Sequence, residues 1–339
     1  MHGAFLRSTA ISAKPCPPDS IAAHSRRFPT PPMNLVKAIT LTLVSSLLFA
    51  AMSALVRYAG ERVPVGEVVF FRAAFGIVPV VIIYAWRGEL AAAVRTGRPF
   101  GHVGRGMFSI GGMFLNFAAL ARLPLVEATA FSFASPLITV AFAALFLNER
   151  VRLYRWTAVV IGFAGVIVML WPHLDLAHYS GAAATASALG ALFALAAAMF
   201  NSGAVIQTRR LTDSETTSSI VFYFSLICAL AGLCTLPFGW SFPSVAVVAA
   251  LVATGILGGL AHILLTESYR YAPASLVAPF GYTAMLWAFV LGYVFFGEIP
   301  LPLVFIGAGV VAGAGLFVIF RERQLGLQRE HEAEGPPVG

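Results

Sequence analysis

Apolar runs of about 20 residues recur along nearly the whole chain, and no other feature restricts the fold as severely. An α-helix rises 1.5 Å per residue, so about 20 apolar residues cross a hydrocarbon core of about 30 Å. Inside that core every backbone N–H and C=O must be bonded internally, and a run of this length does so as a helix. Ten such runs are legible, at about 37–57, 65–86, 102–121, 126–147, 154–171, 182–207, 218–237, 246–268, 275–296 and 303–320. The links between them are too short to hold a soluble domain. Composition agrees: 59% of residues are hydrophobic and 11% charged, and the mean hydropathy is +0.84. Soluble domains carry about 45–50% apolar residues. The expected fold class is an all-α integral membrane protein with ten transmembrane helices.

The formal charge of +7 suggests nucleic acid until the positions are read. With both termini in the cytoplasm, 18 of the 22 Lys and Arg residues fall on the inside, among them Lys37, Arg87, Arg98, Arg105, Arg150, Arg210, Arg270 and Arg321. Arg57, Arg62 and Arg122 fall outside, and Arg72 lies within a helix. This asymmetry is the positive-inside pattern and places the chain in a cell (inner or plasma) membrane with cytoplasmic ends. No nucleic-acid partner is needed to explain the charge.

Residues 1–32 differ in kind, with Pro- and Ser-rich stretches such as "PCPPDS" and no apolar h-region of a signal peptide. Met33 opens "MNLVKAITLTLV", so 1–32 is expected to be a disordered tail or an extension ahead of the natural start. Residues 322–339 read as a solvated cytoplasmic tail. The three cysteines, Cys16, Cys228 and Cys234, suggest neither a disulfide framework nor a metal site, and no cofactor motif is present.

Two stretches repeat at an offset of 149 residues: "LPLVEATAFSFASPLITVAFAALFLNE" and "APASLVAPFGYTAMLWAFVLGYVFFGE". Pro124 falls on Pro273, Phe131 on Phe280, Phe146 on Phe295 and Glu149 on Glu298. Arg57 falls on Arg209 at a nearby offset. Five helices per half is an odd number, so the second half enters from the opposite side. The halves, 33–171 and 182–321, are therefore expected to be two inverted five-helix repeats, as in alternating-access transporters.

"VVFFRAAFGIVPV" in the second span, "NFAALARLPLVEATAFSFASPLITVAFAALFLNERV" across the third and fourth, and "RWTAVVIGFAGVIVML" in the fifth resemble the EamA-like domain of the drug/metabolite transporter superfamily. "ESYRYAPASLVAPFGYTAMLWAFVLGYVFFGEIP" and "GAGVVAGAGLFVIFRER" look like a second copy. The resemblance implies a ten-helix carrier of small metabolites. The proline at the middle of the pattern is Pro136 in the first copy, and Met285 stands there in the second. Whether the ninth helix bends as the fourth does is left open.

Polar side chains within the spans mark candidate sites. The fourth helix carries Thr129, Ser132, Ser135 and Thr139 on one face, and Pro136 frees the carbonyl of Ser132. Helix packing and cavity lining are both open readings of that stripe. Asn116 in the third span, Asn201 in the sixth, His262 in the eighth, and Tyr282 and Trp287 in the ninth complete the candidate substrate contacts. His262 is either a satisfied structural histidine or a substrate or proton contact. Arg72 is the costliest group, and either snorkels to the interface or pairs with Glu127 at an outer gate. Glu149 and Glu298 are expected to anchor the turns into the fifth and tenth helices. Glu267 is expected to pair with Arg270. The glycines of "GAGVVAGAG" are expected to serve close helix packing.

A secondary transporter of a small solute, such as an amino acid, a purine or a vitamin-like compound, is the leading reading. Membrane lipids are its surroundings, a proton is a candidate coupling ion, and a homodimer is left open. An intramembrane enzyme lacks a zinc signature or nucleophile elbow to support it, and a receptor lacks an extramembrane domain.

Overall fold

The computed structural model describes residues 34–88, 90–146, 152–174, 182–212, 214–241, 243–272, 277 and 280–333. Glu149, the extension 1–32 and the end of the C-terminal tail lie outside them. The described residues form α1 (Leu35–Gly60), α2 (Val65–Trp86), α3 (Pro99–Leu120), α4 (Leu125–Phe146), α5 (Leu153–Leu174), α6 (Ala182–Thr212), α7 (Thr217–Leu233), α8 (Val245–Tyr271), α9 (Thr283–Phe296) and α10 (Pro302–Ala333), with a single turn of helix at Leu90–Val94 between α2 and α3. Among the described residues nine of these are long and apolar enough to cross a membrane, and α9 is a shorter apolar helix of 14 residues. The chain is a multi-pass membrane protein.

The chain marks the starts of its helices. Asn34 accepts the N–H of Lys37 at 3.0 Å and caps α1, and Thr216 accepts that of Ser219 at 3.2 Å and caps α7. Pro64 and Pro124 precede α2 and α4, where a fixed φ and a missing donor suit the entry of a helix.

Packing shows the inverted repeat. Exchange α1 with α6, α2 with α7, α3 with α8, α4 with α9 and α5 with α10. The contact of α1 on α8 then becomes α6 on α3, α1 on α9 becomes α6 on α4, and α2 on α8 becomes α7 on α3; every one of these pairs is formed. The pairs α2–α7 and α5–α10 map onto themselves and are formed too. In α5–α10 the backbones approach closely, since a Cβ on Gly165 would lie 2.8 Å from the carbonyl oxygen of Gly307. Of the glycines in the α10 stretch, Gly307 serves this contact and Gly315 makes room for the Tyr282 side chain, while Gly309 and Gly313 face open space.

The fourth and ninth helices break at matching points. α4 runs as Leu125–Ser132 and Ala134–Phe146, with Phe133 in a turn conformation. Pro136 has no N–H for the carbonyl of Ser132 and its ring crowds that turn, which accounts for the break. In the ninth helix the turn residue is Tyr282, 149 positions after Phe133, although no proline follows. Beside this break Thr283 donates its hydroxyl to the carbonyl of Phe280 at 2.6 Å. The second copy reaches the same geometry without the proline.

Candidate functional site

A cavity of about 440 Å³ lies between the halves, within the range of small-molecule sites. Its walls come from α1 (Phe49, Met52), α2 (Arg72, Gly76), α3 (Arg105, Asn116), α6 (Asn201, Thr208), α7 (Phe224, Ser225) and α8 (Gly259, His262). Arg105 is near the start of α3 and Thr208 near the end of α6, so the cavity extends from mid-bundle toward the face that bears the ends of the chain. A smaller cavity of about 140 Å³, lined by Phe49, Ser53, Asn116, Leu120, Thr129 and Ser132, continues toward the opposite face.

The glycines in these walls make room for the polar side chains. A Cβ on Gly112 would stand 2.5 Å from Asn201 Oδ1, so only glycine lets the amide come this close to α3. His262 meets Phe49 edge-on at 4.9 Å and lies 6.5 Å from Phe224, and it also lines a third cavity of about 60 Å³ with Arg87 and Glu267. Its ring makes no hydrogen bond among the described residues. Arg105 donates Nε to Thr208 Oγ1 at 2.7 Å and Nη1 to the Ile220 carbonyl at 3.1 Å, with its guanidinium 4.8 Å from the Phe224 ring.

The candidates read from sequence divide. Asn116, Asn201 and His262 meet on the large cavity, and Ser132 joins Asn116 on the smaller one. Ser135 bonds Ser202 at 3.2 Å and serves the α4–α6 contact. Trp287 donates Nε1 to Ser46 Oγ at 3.2 Å across α1–α9, and Tyr282 packs its ring at a tilt against Phe133 at 4.8 Å; neither lines the large cavity. Sequence reading counted Arg105 among interfacial charges and so missed it as a lining residue; a cation several residues inside an apolar helix was the available signal.

Arg72 neither snorkels nor pairs with Glu127. It is 6% exposed and lines the large cavity. Glu127 instead accepts the N–H of Leu301 at 3.4 Å, and its other oxygen lies 3.3 Å from His173 Nε2. Glu267 meets Arg87 at 3.0 Å.

The face away from the chain ends is stitched by acidic groups that cross between the halves. Glu298 accepts Arg57 Nε through one oxygen and the N–H of Leu125 through the other at 2.7 Å. It therefore has a cation, supplied from 241 residues away, and it caps α4, where the expectation was a turn into α10. Arg57 also donates to the carbonyl of Leu120 at 2.9 Å. Glu67 accepts the N–H and hydroxyl of Ser241 at 3.2 and 3.1 Å. His173 Nδ1 meets Ser187 Oγ at 2.7 Å.

At the other face Glu215 gathers the entry to α3. One oxygen accepts the Thr96 hydroxyl and the N–H groups of Gly97 and Arg98, at 2.8–2.9 Å. Burial pushes its carboxyl up, but these donors and His102 pull it down further, so it sits below the ordinary value of 4.5.

Residues 36–171 and 188–321 each match the model of the EamA-like transporter family. The chain is 30% identical to the S-adenosylmethionine uptake transporter of Rickettsia felis, over 87% of this chain and 95% of that one. It is 30% identical to the pseudopaline exporter of Pseudomonas aeruginosa, over 85% and 95%. It is 32% identical to the riboflavin transporter of Rhizobium johnstonii, over 68% and 74%. A solved structure described only as a crystal structure of a protein superimposes with a TM-score of 0.59 at 23% identity, over 86% of this chain and 99% of that one.

Proposed function

We propose a transport cycle from one premise: the chain belongs to the EamA-like transporter family. It carries a small metabolite across a membrane, and the large cavity between the halves is where that solute binds. Relatives are named for S-adenosylmethionine, pseudopaline and riboflavin, and for both uptake and export, so size and mixed polarity are what this site shares with them. Asn116, Asn201 and His262 are the polar contacts; Phe49 and Phe224 offer ring faces.

The observation that carries the reading is the asymmetry between the two ends of the bundle. The cavity reaches toward the face of the chain ends, while the far face is closed by Arg57, Glu298, Leu125 and Glu67 with Ser241. With the termini cytoplasmic, as the charge pattern favours, this is an inward-open arrangement in an inner or plasma membrane. Transport requires the far contacts to part while the halves close over Arg105 and Thr208. The cycle is driven by a gradient, His262 is the contact that a coupling proton would use, and the two halves of one chain suffice to form the site, with or without a homodimer.

Proteoliposomes holding the purified full chain test this. Labelled S-adenosylmethionine, riboflavin, amino acids and purines are loaded and their exchange followed. Counterflow of at least one solute above protein-free vesicles, weakened by Asn201→Ala, is expected. Equal flux in empty vesicles for every solute overturns the reading.

A further inference from the structure

Among the described residues the large cavity holds two arginines and no carboxylate. Arg72 and Arg105 line it together with Ser109, Asn116, Asn201 and Thr208, and among the described residues no Asp or Glu is on its wall. An arginine keeps its proton in a protein, so the cavity is cationic. The two guanidiniums differ in one respect. Arg105 is held by Thr208, the Ile220 carbonyl and the Phe224 ring. Arg72, 6% exposed and seven residues into α2, has no hydrogen bond or carboxylate partner among the described residues.

Such a group is expensive. Insertion scales charge about 2.5–3.5 kcal/mol for an arginine at the centre of a membrane helix. Most buried cations are offset by a paired acid, and the buried acids of the far face stand away from Arg72. Glu67 and Glu298 are committed there to Ser241 and Arg57, and Glu127 accepts the N–H of Leu301. One glycine keeps space around Arg72 instead: a Cβ on Gly258 would lie 3.3 Å from Nη2. The fold thus leaves a planar, five-donor fork open toward an apolar and aromatic chamber. Guanidinium forks match the two oxygens of a carboxylate or phosphate.

We infer that Arg72, seconded by Arg105, is the anchor for an anionic group on the transported solute, whose apolar or ring-bearing remainder lies against Phe49, Met52 and Phe224. The inference rests on the reading of this cavity as the transport site and names the solute class: an organic carboxylate or phosphate. Arrival of the anion gives Arg72 its missing partner, and the solute loses its hydration to donors already in place. A cation with no carboxylate of its own is repelled by this chamber.

The test uses ligand-dependent thermal stabilisation of the purified full chain, since a ligand bound only by the folded state raises the melting temperature. Two matched pairs serve as probes. S-adenosylmethionine against its decarboxylated form isolates the carboxylate, and riboflavin 5′-phosphate against riboflavin isolates the phosphate. The anionic member of at least one pair is expected to bind at least about tenfold more tightly than its partner, as charge-assisted bonds allow. The pair that discriminates identifies which anion the site takes. Arg72→Gln should remove the discrimination, Arg72→Lys should keep part of it, and Arg72→Gln without ligand should melt no lower than the parent, because a buried unpartnered charge has been removed. A structural arginine would behave in the opposite way. Equal binding within both pairs, no stabilisation by any anion, or a ligand-free Arg72→Gln that is clearly destabilised each overturns the inference. Arg72-dependent anion binding with no flux in vesicles would leave the anion site standing and remove the transport reading. Flux of neutral solutes indifferent to Arg72 would do the reverse.

Discussion

In the proposed cycle Glu298 holds the face away from the chain ends closed, and its energetic share can be worked from the contacts. The side chain is 9% exposed and Arg57 is 15% exposed, so solvent screens the pair little. Glu298→Gln keeps an oxygen for the N–H of Leu125 but removes the charge from Arg57. Hydrogen bonds to charged groups contribute about 1.5–3 kcal/mol each, and Arg57 retains the Leu120 carbonyl and Glu61, which lies 3.8 Å away. The net loss should be about 2 kcal/mol. Glu298→Ala, which also frees the first N–H of α4, should lose about 3 kcal/mol. If the pair is made only when this face is closed, 2 kcal/mol raises the open population about 30-fold. A cysteine at Ser53, on the wall of the smaller cavity, reports the opening through its labelling rate by an impermeant maleimide, in a background with Cys16, Cys228 and Cys234 replaced. Arg57→Gln should speed labelling to a similar degree. The double variant should add little, because the two side chains form one contact. Labelling of Glu298→Gln at the parental rate, or full additivity of the two substitutions, would refute the reasoning.

Gly112→Ala places a Cβ against Asn201 and should weaken solute affinity about tenfold in flux assays, at a stability cost of about 1–3 kcal/mol, whereas Gly313→Ala, which meets nothing within 4 Å, should leave affinity unchanged. Glu215 has a depressed carboxyl, so its docking of the α3 entry is present above pH about 4.5 and is lost as pH falls through its lower folded value. Amide protection at Gly97 and Arg98, corrected for intrinsic exchange, should therefore fall in acid in the parent and be low and flat with pH in Glu215→Gln. His262→Gln should insert and express normally while flattening the pH dependence of transport; an unchanged pH profile would show that the imidazole carries no proton in the cycle.

Bilayer physics makes the coarse architecture of this chain legible without any contact. A backbone in hydrocarbon must bond to itself, so run length alone yields the spans, and an odd number of spans per copy yields the inversion. Pro136 announces the break in α4 because a missing N–H is a local fact. The matching break at Tyr282 was hidden, since Met285 stands where the proline would mark it. Close helix packing at Gly307 was also local enough to read, as was the meeting of Asn116, Asn201 and His262, which are the polar exceptions in otherwise apolar segments.

The partners of the charged groups were decided only by the tertiary structure. In a membrane helix lipid and protein are both apolar, so hydrophobicity does not tell which side faces the bundle. Ser135, Tyr282 and Trp287 looked like lining residues for that reason, and the fold spends them between helices. Glu298 finds Arg57 across 241 positions, and Glu67 finds Ser241 across 174. Arg72 shows the limit most plainly: its cost can be read from one residue in an apolar run, but whether a carboxylate offsets it depends on where five other helices place theirs. In this bundle the described carboxylates are held at the two faces, and the arginine is left to the cavity.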